Sequence, residues 1–311
     1  HSVYSILTST SKHSDLIKKT LEYKMPALGI TDTGNLMGAF AFLNEMKKAN
    51  GSIRDHNKKV DAGEISEPKK KEIMPIIGCE LYVSETYLQN KFTKDNPDRR
   101  YTQVLLAKNH EGFKNLSKLS TLGYKLGLYA GFPRIGKELI EQYKENLIAT
   151  TGSLSSEVPS LLLNVGEKQA EEAFVYWHNL FGDDFYIELF RHNLDEEEHL
   201  NKTLLRFAEK YGVKILAQND TFYINKDEAE TQDILLCIKD GEKQSTPIGR
   251  GFGKRYGLPN NQYNFKSQEE MAKLFIDVPE SIENFESFLQ KFEPYELARE
   301  VLLPKFDIPE E

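Results

Sequence analysis

Ala27-Leu-Gly-Ile-Thr-Asp32 is a short apolar run that stops at a carboxylate, and four further runs stop in a similar way. They are Ile76-Ile-Gly-Cys-Glu80, Leu147-Ile-Ala-Thr-Thr-Gly-Ser153, Phe185-Tyr-Ile-Glu188 with His192 just beyond, and Ile215-Leu-Ala-Gln-Asn-Asp220. Short apolar runs bounded by polar residues predict buried strands. In parallel barrels and open α/β sheets, ligands gather at the carboxyl ends of strands, where a rigid scaffold lets side chains from distant segments converge. The chain therefore reads as an α/β fold built around one polar site.

Helical patterns alternate with these runs, which favours a parallel sheet with helical crossovers. Ser14 is placed to cap a helix through Leu16, Ile17 and Leu21, and Asn35 to start another through Met37, Phe40 and Phe42. Further helices are expected over residues 113–126, after a strand near Val104 to Lys108, and over 170–180, 196–211, 228–238 and 281–292. The expectation is an irregular (β/α)7-type barrel, TIM-barrel-like, over residues 1–278. Residues 279–311 then form a helical and extended linker broken by Pro304 and Pro309. Both ends of the chain read as cuts from a longer protein.

Three polar segments interrupt the pattern. Residues 50–72 carry Lys58-Lys59 and Lys69-Lys-Lys71 with almost no large apolar residue, so a mobile surface insertion is expected. Lys91 to Arg100 is a second polar stretch. Thr246 to Tyr256 is glycine-rich and basic, but it does not follow a strand and open a helix, so it reads as a turn-rich surface loop rather than a phosphate cradle. Asp183-Asp184 reads as solvated or capping.

The 311 residues are 39% apolar and 28% charged, ordinary for a globular protein, with 48 acidic against 40 basic side chains and a net charge of −8. That charge argues against a surface that binds nucleic acid nonspecifically. No stretch approaches the roughly 20 apolar residues of a membrane span and no signal pattern opens the chain, so a cytoplasmic location is expected. Cys79 and Cys237 sit far apart in apolar surroundings and read as buried hydrophobes, not as a disulfide or zinc site.

Carboxylates and imidazoles converging from several strand ends suit a hydrolytic metal site, in which bound ions lower the pKa of an attacking water. Taken singly, Asp32, Glu80, His192 and Asp220 each have a structural alternative, such as capping a helix or pairing with an arginine.

The wording of the segments resembles the PHP (polymerase and histidinol phosphatase) domain that opens the alpha subunit of bacterial replicative DNA polymerase III. The resemblance rests on His1-Ser-Val-Tyr-Ser-Ile-Leu7, Met25-Pro-Ala-Leu-Gly-Ile-Thr-Asp-Thr-Gly-Asn35, Pro75-Ile-Ile-Gly-Cys-Glu-Leu-Tyr-Val83 and Leu105-Leu-Ala-Lys-Asn109. Tyr186-Ile-Glu-Leu189 with His192, Asn219-Asp220, Asp233-Ile-Leu-Leu-Cys-Ile238 and Phe265-Lys-Ser-Gln-Glu-Glu-Met271 extend it, up to the Leu302-Leu-Pro-Lys-Phe306 tail. It implies up to nine ligands for three metal ions. The first histidine of the family's opening pair would precede residue 1, and His1 matches the second. Glu80 and Asp220 match, while Asp32 and His192 fall where the family lines its site. At other ligand positions stand Thr8 for an acid, Thr33 and Thr102 for histidines, Ser153 for a soft ligand and Phe222 for a histidine.

Hydroxyls are weak neutral ligands and Phe is none, so the resemblance implies a degenerate metal site. No tightly bound cofactor is expected, at most one weakly held divalent ion (Zn, Mn or Mg) at His1, Glu80 and Asp220. A structural and partner-docking module is the leading expectation. Its partners would be the polymerase body of the same chain, a proofreading exonuclease subunit, and DNA through the parent chain. An active metal-dependent phosphoesterase, a 3′–5′ exonuclease or pyrophosphatase, is the alternative. The aspartates of polymerase chemistry are expected outside residues 1–311.

Overall fold

The computed structural model describes residues 1–249 and 251–299. The expected Leu302–Phe306 tail, with Pro304 and Pro309, lies outside the described residues. Among the described residues, eight strands and ten α-helices form the fold. β1 (Ala27–Thr33) follows α1 (His13–Glu22), and α2 (Ala39–Asp61) leads to β2 (Met74–Val83) and β3 (Tyr101–Ala107). After α3 (His110–Leu126) come β4 (Leu128–Tyr129), β5 (Phe132–Ile135), α4 (Lys137–Tyr143) and β6 (Leu147–Thr150). The helices α5 (Glu157–Asn164) and α6 (Glu167–Phe181) precede β7 (Phe185–Phe190), α7 (Asp195–Tyr211) and β8 (Ile215–Gln218). The last elements are α8 (Ala229–Asp240), α9 (Gln268–Leu274) and α10 (Glu280–Leu289).

The sheet runs β1-β2-β3-β6-β7-β8, with β5 pairing parallel alongside the end of β2 and β4 antiparallel to β5. It is mixed, not parallel as the alternation of elements suggested. β3 runs antiparallel to both β2 and β6, while β1 pairs parallel with β2 and β6, β7 and β8 are joined to one another by parallel pairings. The link from β2 to β3 contains no helix, so the chain returns in the opposite sense. Among the described residues no hydrogen bond joins β1 to β8, which leaves a seam in an irregular α/β barrel.

Strand periodicity sorts side chains to the two faces. Cys79, Leu81, Leu105, Ala149, Ile187 and Leu189 point outward into the main core under the helices, with Phe174 and Trp177 of α6 at its centre. Ile76, Leu106, Ile148, Tyr186 and Leu216 point inward, and Phe288 of α10 and Phe292 close the barrel floor against them. Part of the stretch read as linker thus supplies core side chains.

Several local expectations shift. Ser14 lies inside α1, whose N-cap is Lys12 without a side-chain cap. Asn35 caps a turn ahead of α2, its Oδ1 accepting from Met37 N at 3.0 Å. Residues 50–61 are not an insertion but the second half of α2. Ile53 is buried there, and the Asn50 amide brackets Ile73 by accepting from its N–H and donating to its carbonyl. The segment holding residues 91–100 is anchored by the buried Arg134, which binds Asp98 (2.7 Å) and the carbonyls of Tyr87 and Gln89. Arg255 packs against Asp233 in a two-pronged pair, so this part of the glycine-rich loop is structural. Asp184 pairs with Lys108 and Lys291. Both cysteines are buried and free.

Candidate functional site

Glu80, on the inward face of β2, is 8% exposed, and its Oε2 accepts a hydrogen bond from Thr33 Oγ1 at 2.9 Å. The same threonine hydroxyl lies 3.3 Å from His1 Nδ1, which also meets Ser5 Oγ at 3.4 Å. The His1 ring stacks on Phe222, with centroids 4.6 Å apart. Across the barrel, Glu188 on β7 is 6% exposed and accepts from Thr150 Oγ1 at 2.9 Å. Asp220 follows β8, and one cavity is lined by His1, Glu80, Ser153, Glu188 and Asp220.

Three carboxyls in a confined space resist ionisation together. Burial pushes Glu188 up to about 8, with Asp220 and Glu80 adding to the shift against the Thr150 hydroxyl. Burial likewise raises Asp220 to about 6, opposed by His192 and reinforced by Glu80. Glu80 is raised by burial, with the Thr33 and Thr102 hydroxyls pulling the other way. Lys266, also on the cavity wall, is lowered to about 8 by burial and donates to Asn219 Oδ1 at 2.7 Å and to the Gln262 carbonyl.

The other expected site residues are spent on the framework. Asp32 shares the outward face of β1 with Leu28 and Ile30, and accepts from Ser2 N (2.6 Å), Ser2 Oγ (2.8 Å) and Ser5 Oγ (2.7 Å). It ties down the N-terminal loop that carries His1. His192 Nδ1 meets Glu197 Oε1 at 2.6 Å and its Nε2 accepts from Asp220 N at 3.1 Å. That backbone donor puts the ring proton on Nδ1 and leaves neither nitrogen for a metal. The Thr102 hydroxyl lies 3.0 Å from both Ser155 Oγ and Ser156 Oγ. Thr8 is turned toward α8, its carbonyl accepting from Gln232 and its hydroxyl from Lys239. Phe222 belongs to an aromatic cluster with Tyr223 and Tyr263.

Glu188 closes the predicted strand end Phe185–Glu188 and is a functional residue beyond the expected site set. Its parity would have placed it, because Phe185, Ile187 and Leu189 take the outward face and leave Tyr186 and Glu188 inside.

The sequence profile of the PHP domain matches residues 1–192. The chain belongs to the PHP domain family. This PHP domain is 36% identical to the DNA polymerase III subunit alpha of Borreliella burgdorferi over its whole length, which is 25% of that protein. It is 34% identical to the protein of that name from Aquifex aeolicus, over 99% of the chain and 25% of the relative. With the one from Helicobacter pylori strain 26695 it shares 31% identity over 94% of the chain and 22% of the relative. The chain thus spans about a quarter of the length of these relatives. Among the described residues no three His, Cys, Asp or Glu side chains come together to hold an ion. His1 Nδ1 lies on two hydroxyls, and both His192 nitrogens are engaged, on Glu197 and on the Asp220 amide. No helix among the described residues is long and apolar enough to cross a membrane.

Proposed function

We propose that this PHP domain is part of the alpha subunit of a cytoplasmic bacterial replicative DNA polymerase, where it braces the polymerase body and docks partners instead of hydrolysing phosphoesters. The observation that carries the reading is the hydroxyl and aryl network at the barrel mouth. Thr33 joins Glu80 to His1, Thr102 joins two serines, and Phe222 stacks on His1. Hydrogen bonds and stacking thereby hold together positions that the family resemblance assigns to metal ligands, so the barrel keeps its shape without ions. At most a single weakly held divalent ion is expected at His1, Glu80 and Asp220, and these side chains would have to close on it, because among the described residues no three such groups come together to hold one. The proofreading exonuclease subunit is the partner proposed for the docking face, and DNA is met through the parent chain.

Elemental analysis of chain purified without chelator tests this reading, with much less than one ion per chain expected. Two or more tightly held transition metals per chain would overturn it. The sharing of one cavity by Glu80, Glu188 and Asp220 favours a second reading, a metal-dependent 3′–5′ exonuclease or pyrophosphatase. That reading requires metal-dependent hydrolysis of single-stranded DNA or pyrophosphate, lost in Glu80→Ala and Asp220→Ala.

A further inference from the structure

Phe252 stands in water at the tip of the glycine-rich loop, and at 108% relative exposure it is the most exposed large apolar side chain among the described residues. The loop beneath it is anchored. Gly249 N donates to the Arg255 carbonyl at 3.0 Å and Arg255 N to the Pro247 carbonyl at 3.1 Å, which closes the loop at its base. Arg255 is buried and braces that closure from inside the fold. Its guanidinium meets both oxygens of Asp233 (2.7 and 2.8 Å) and the carbonyls of Thr246 (2.9 Å), Gln244 (3.2 Å) and Tyr256 (3.2 Å). At the tip, Lys254 N turns back to the Gly251 carbonyl at 3.3 Å. Gly251 and Gly253 adopt φ values of +100° and +71°, which other residues resist, and leave bare backbone on either side of Phe252.

The surroundings of this ring are cationic. Residues 239–256 carry five basic and two acidic side chains, in a chain whose net charge is −8. One of the two acids, Glu242, accepts from Thr246 Oγ1 at 3.3 Å, and Arg255 is neutralised by Asp233. Lys243 and Lys254 are exposed. Lys239 Nζ lies 5.9 Å from the ring centre of Tyr256, a second aromatic that is itself exposed. A polyanion with flat apolar groups is complementary to such a surface. Lysines neutralise its phosphates, rings stack on its bases, and bare glycine backbone allows close approach. Bases in a duplex are already stacked on one another, so the complementary form is a single strand. An anionic membrane shares the charge, but one phenyl ring between two glycines is too small an apolar face to enter it.

We propose that this loop is a site for single-stranded nucleic acid, with bases stacking on Phe252 and Tyr256 and phosphates meeting Lys239, Lys243 and Lys254. Stacking reads no base edge, so binding is tolerant of sequence and sensitive to salt. The contact is made by this chain itself and does not rest on the polymerase reading.

The test is fluorescence anisotropy of a labelled thymidine oligonucleotide of about 12 residues, titrated with the whole chain over a range of salt concentrations. EDTA is present throughout, so the outcome is independent of the metal content that tests the proposed function. Phe252→Ala is expected to weaken binding about tenfold at an unchanged salt slope. Lys254→Gln should lower the slope of log affinity against log salt by about 0.7, the share of one phosphate contact. An abasic strand of the same length should bind wild type at least as weakly as Phe252→Ala binds the thymidine strand. Thermal melts matching wild type show that both variants fold. No binding of the thymidine strand at low salt, equal affinity of wild type and Phe252→Ala, or equal binding of the thymidine and abasic strands would overturn the proposal. So would preference for a duplex, or Phe252-dependent capture by phosphatidylglycerol vesicles in place of the strand.

Discussion

Replacing Asp32 by Ala removes the acceptor of three hydrogen bonds at once, from Ser2 N, Ser2 Oγ and Ser5 Oγ, at a position 2% exposed to solvent. Each buried donor left without a partner costs about 1–3 kcal/mol. The Ser2 hydroxyl has a second partner 3.2 Å away in His13 Nε2, and the Ser5 hydroxyl can turn to His1, so the two hydroxyls recover part of the loss. The Ser2 amide recovers none. We therefore expect Asp32→Ala to lower the unfolding free energy by about 3 kcal/mol. Urea denaturation followed by circular dichroism reads this directly, as a fall in midpoint at constant slope. The same variant should release the loop carrying His1, seen as faster amide exchange over residues 2–11. If Asp32 instead served only as a metal ligand, metal-free chain would lose little. A change below about 1 kcal/mol with unaltered exchange would refute the structural role assigned to it.

Three further outcomes follow from the same geometry. A native Glu188 near 8 keeps a proton that the unfolded chain releases near its ordinary value, so the native state binds more protons in that window and stability falls as pH rises through it. Glu188→Gln should match wild type near pH 4 and melt higher than wild type at pH 9, by an equivalent of at most about 5 kcal/mol, and equal melting at both pH values would exclude the shift. Arg134→Met removes the donor to Asp98 Oδ1, which keeps Arg100 on its other oxygen, and to the carbonyls of Tyr87, Gln89 and Gly127, and should cost about 3–5 kcal/mol in the same denaturation experiment. Phe222→His sets a second imidazole beside His1 and two residues from Asp220, so zinc affinity measured with a competing chelator dye should rise about tenfold. An unchanged affinity would place the missing ligands elsewhere.

The strands were legible because their apolar runs are short and end abruptly, and the five strand ends do lie on one barrel. What the runs did not carry was direction. Nothing in Tyr101–Ala107 marks β3 as antiparallel, since a strand buried on both faces shows the same composition whichever way it runs. Asp32 illustrates a signal present but unused. It shares parity with Leu28 and Ile30, and two-residue alternation alone turns it away from the barrel interior. Residues 50–61 misled for the opposite reason. Their helix presents one buried side chain, Ile53, and is otherwise solvated, supported by surface pairs such as Arg54 with Glu72. The family resemblance named positions but not orientations, so it could not foresee that His192 spends one nitrogen on Glu197 and the other on the Asp220 amide.

The seam between β1 and β8 bears on more than topology. In a closed barrel, strand number and stagger fix the radius, because every strand is bonded on both sides. Here no hydrogen bond among the described residues closes the ring between β1 and β8, and Phe288 of α10 packs under the inward side chains Ile76, Leu106, Tyr186 and Leu216. Drawing that helix out by a fraction of a turn would let the two edges approach or spread without breaking a single ladder bond. The width of the mouth, and with it the spacing of Glu80, Glu188 and Asp220, is thus tied to the position of a helix on the opposite side of the barrel.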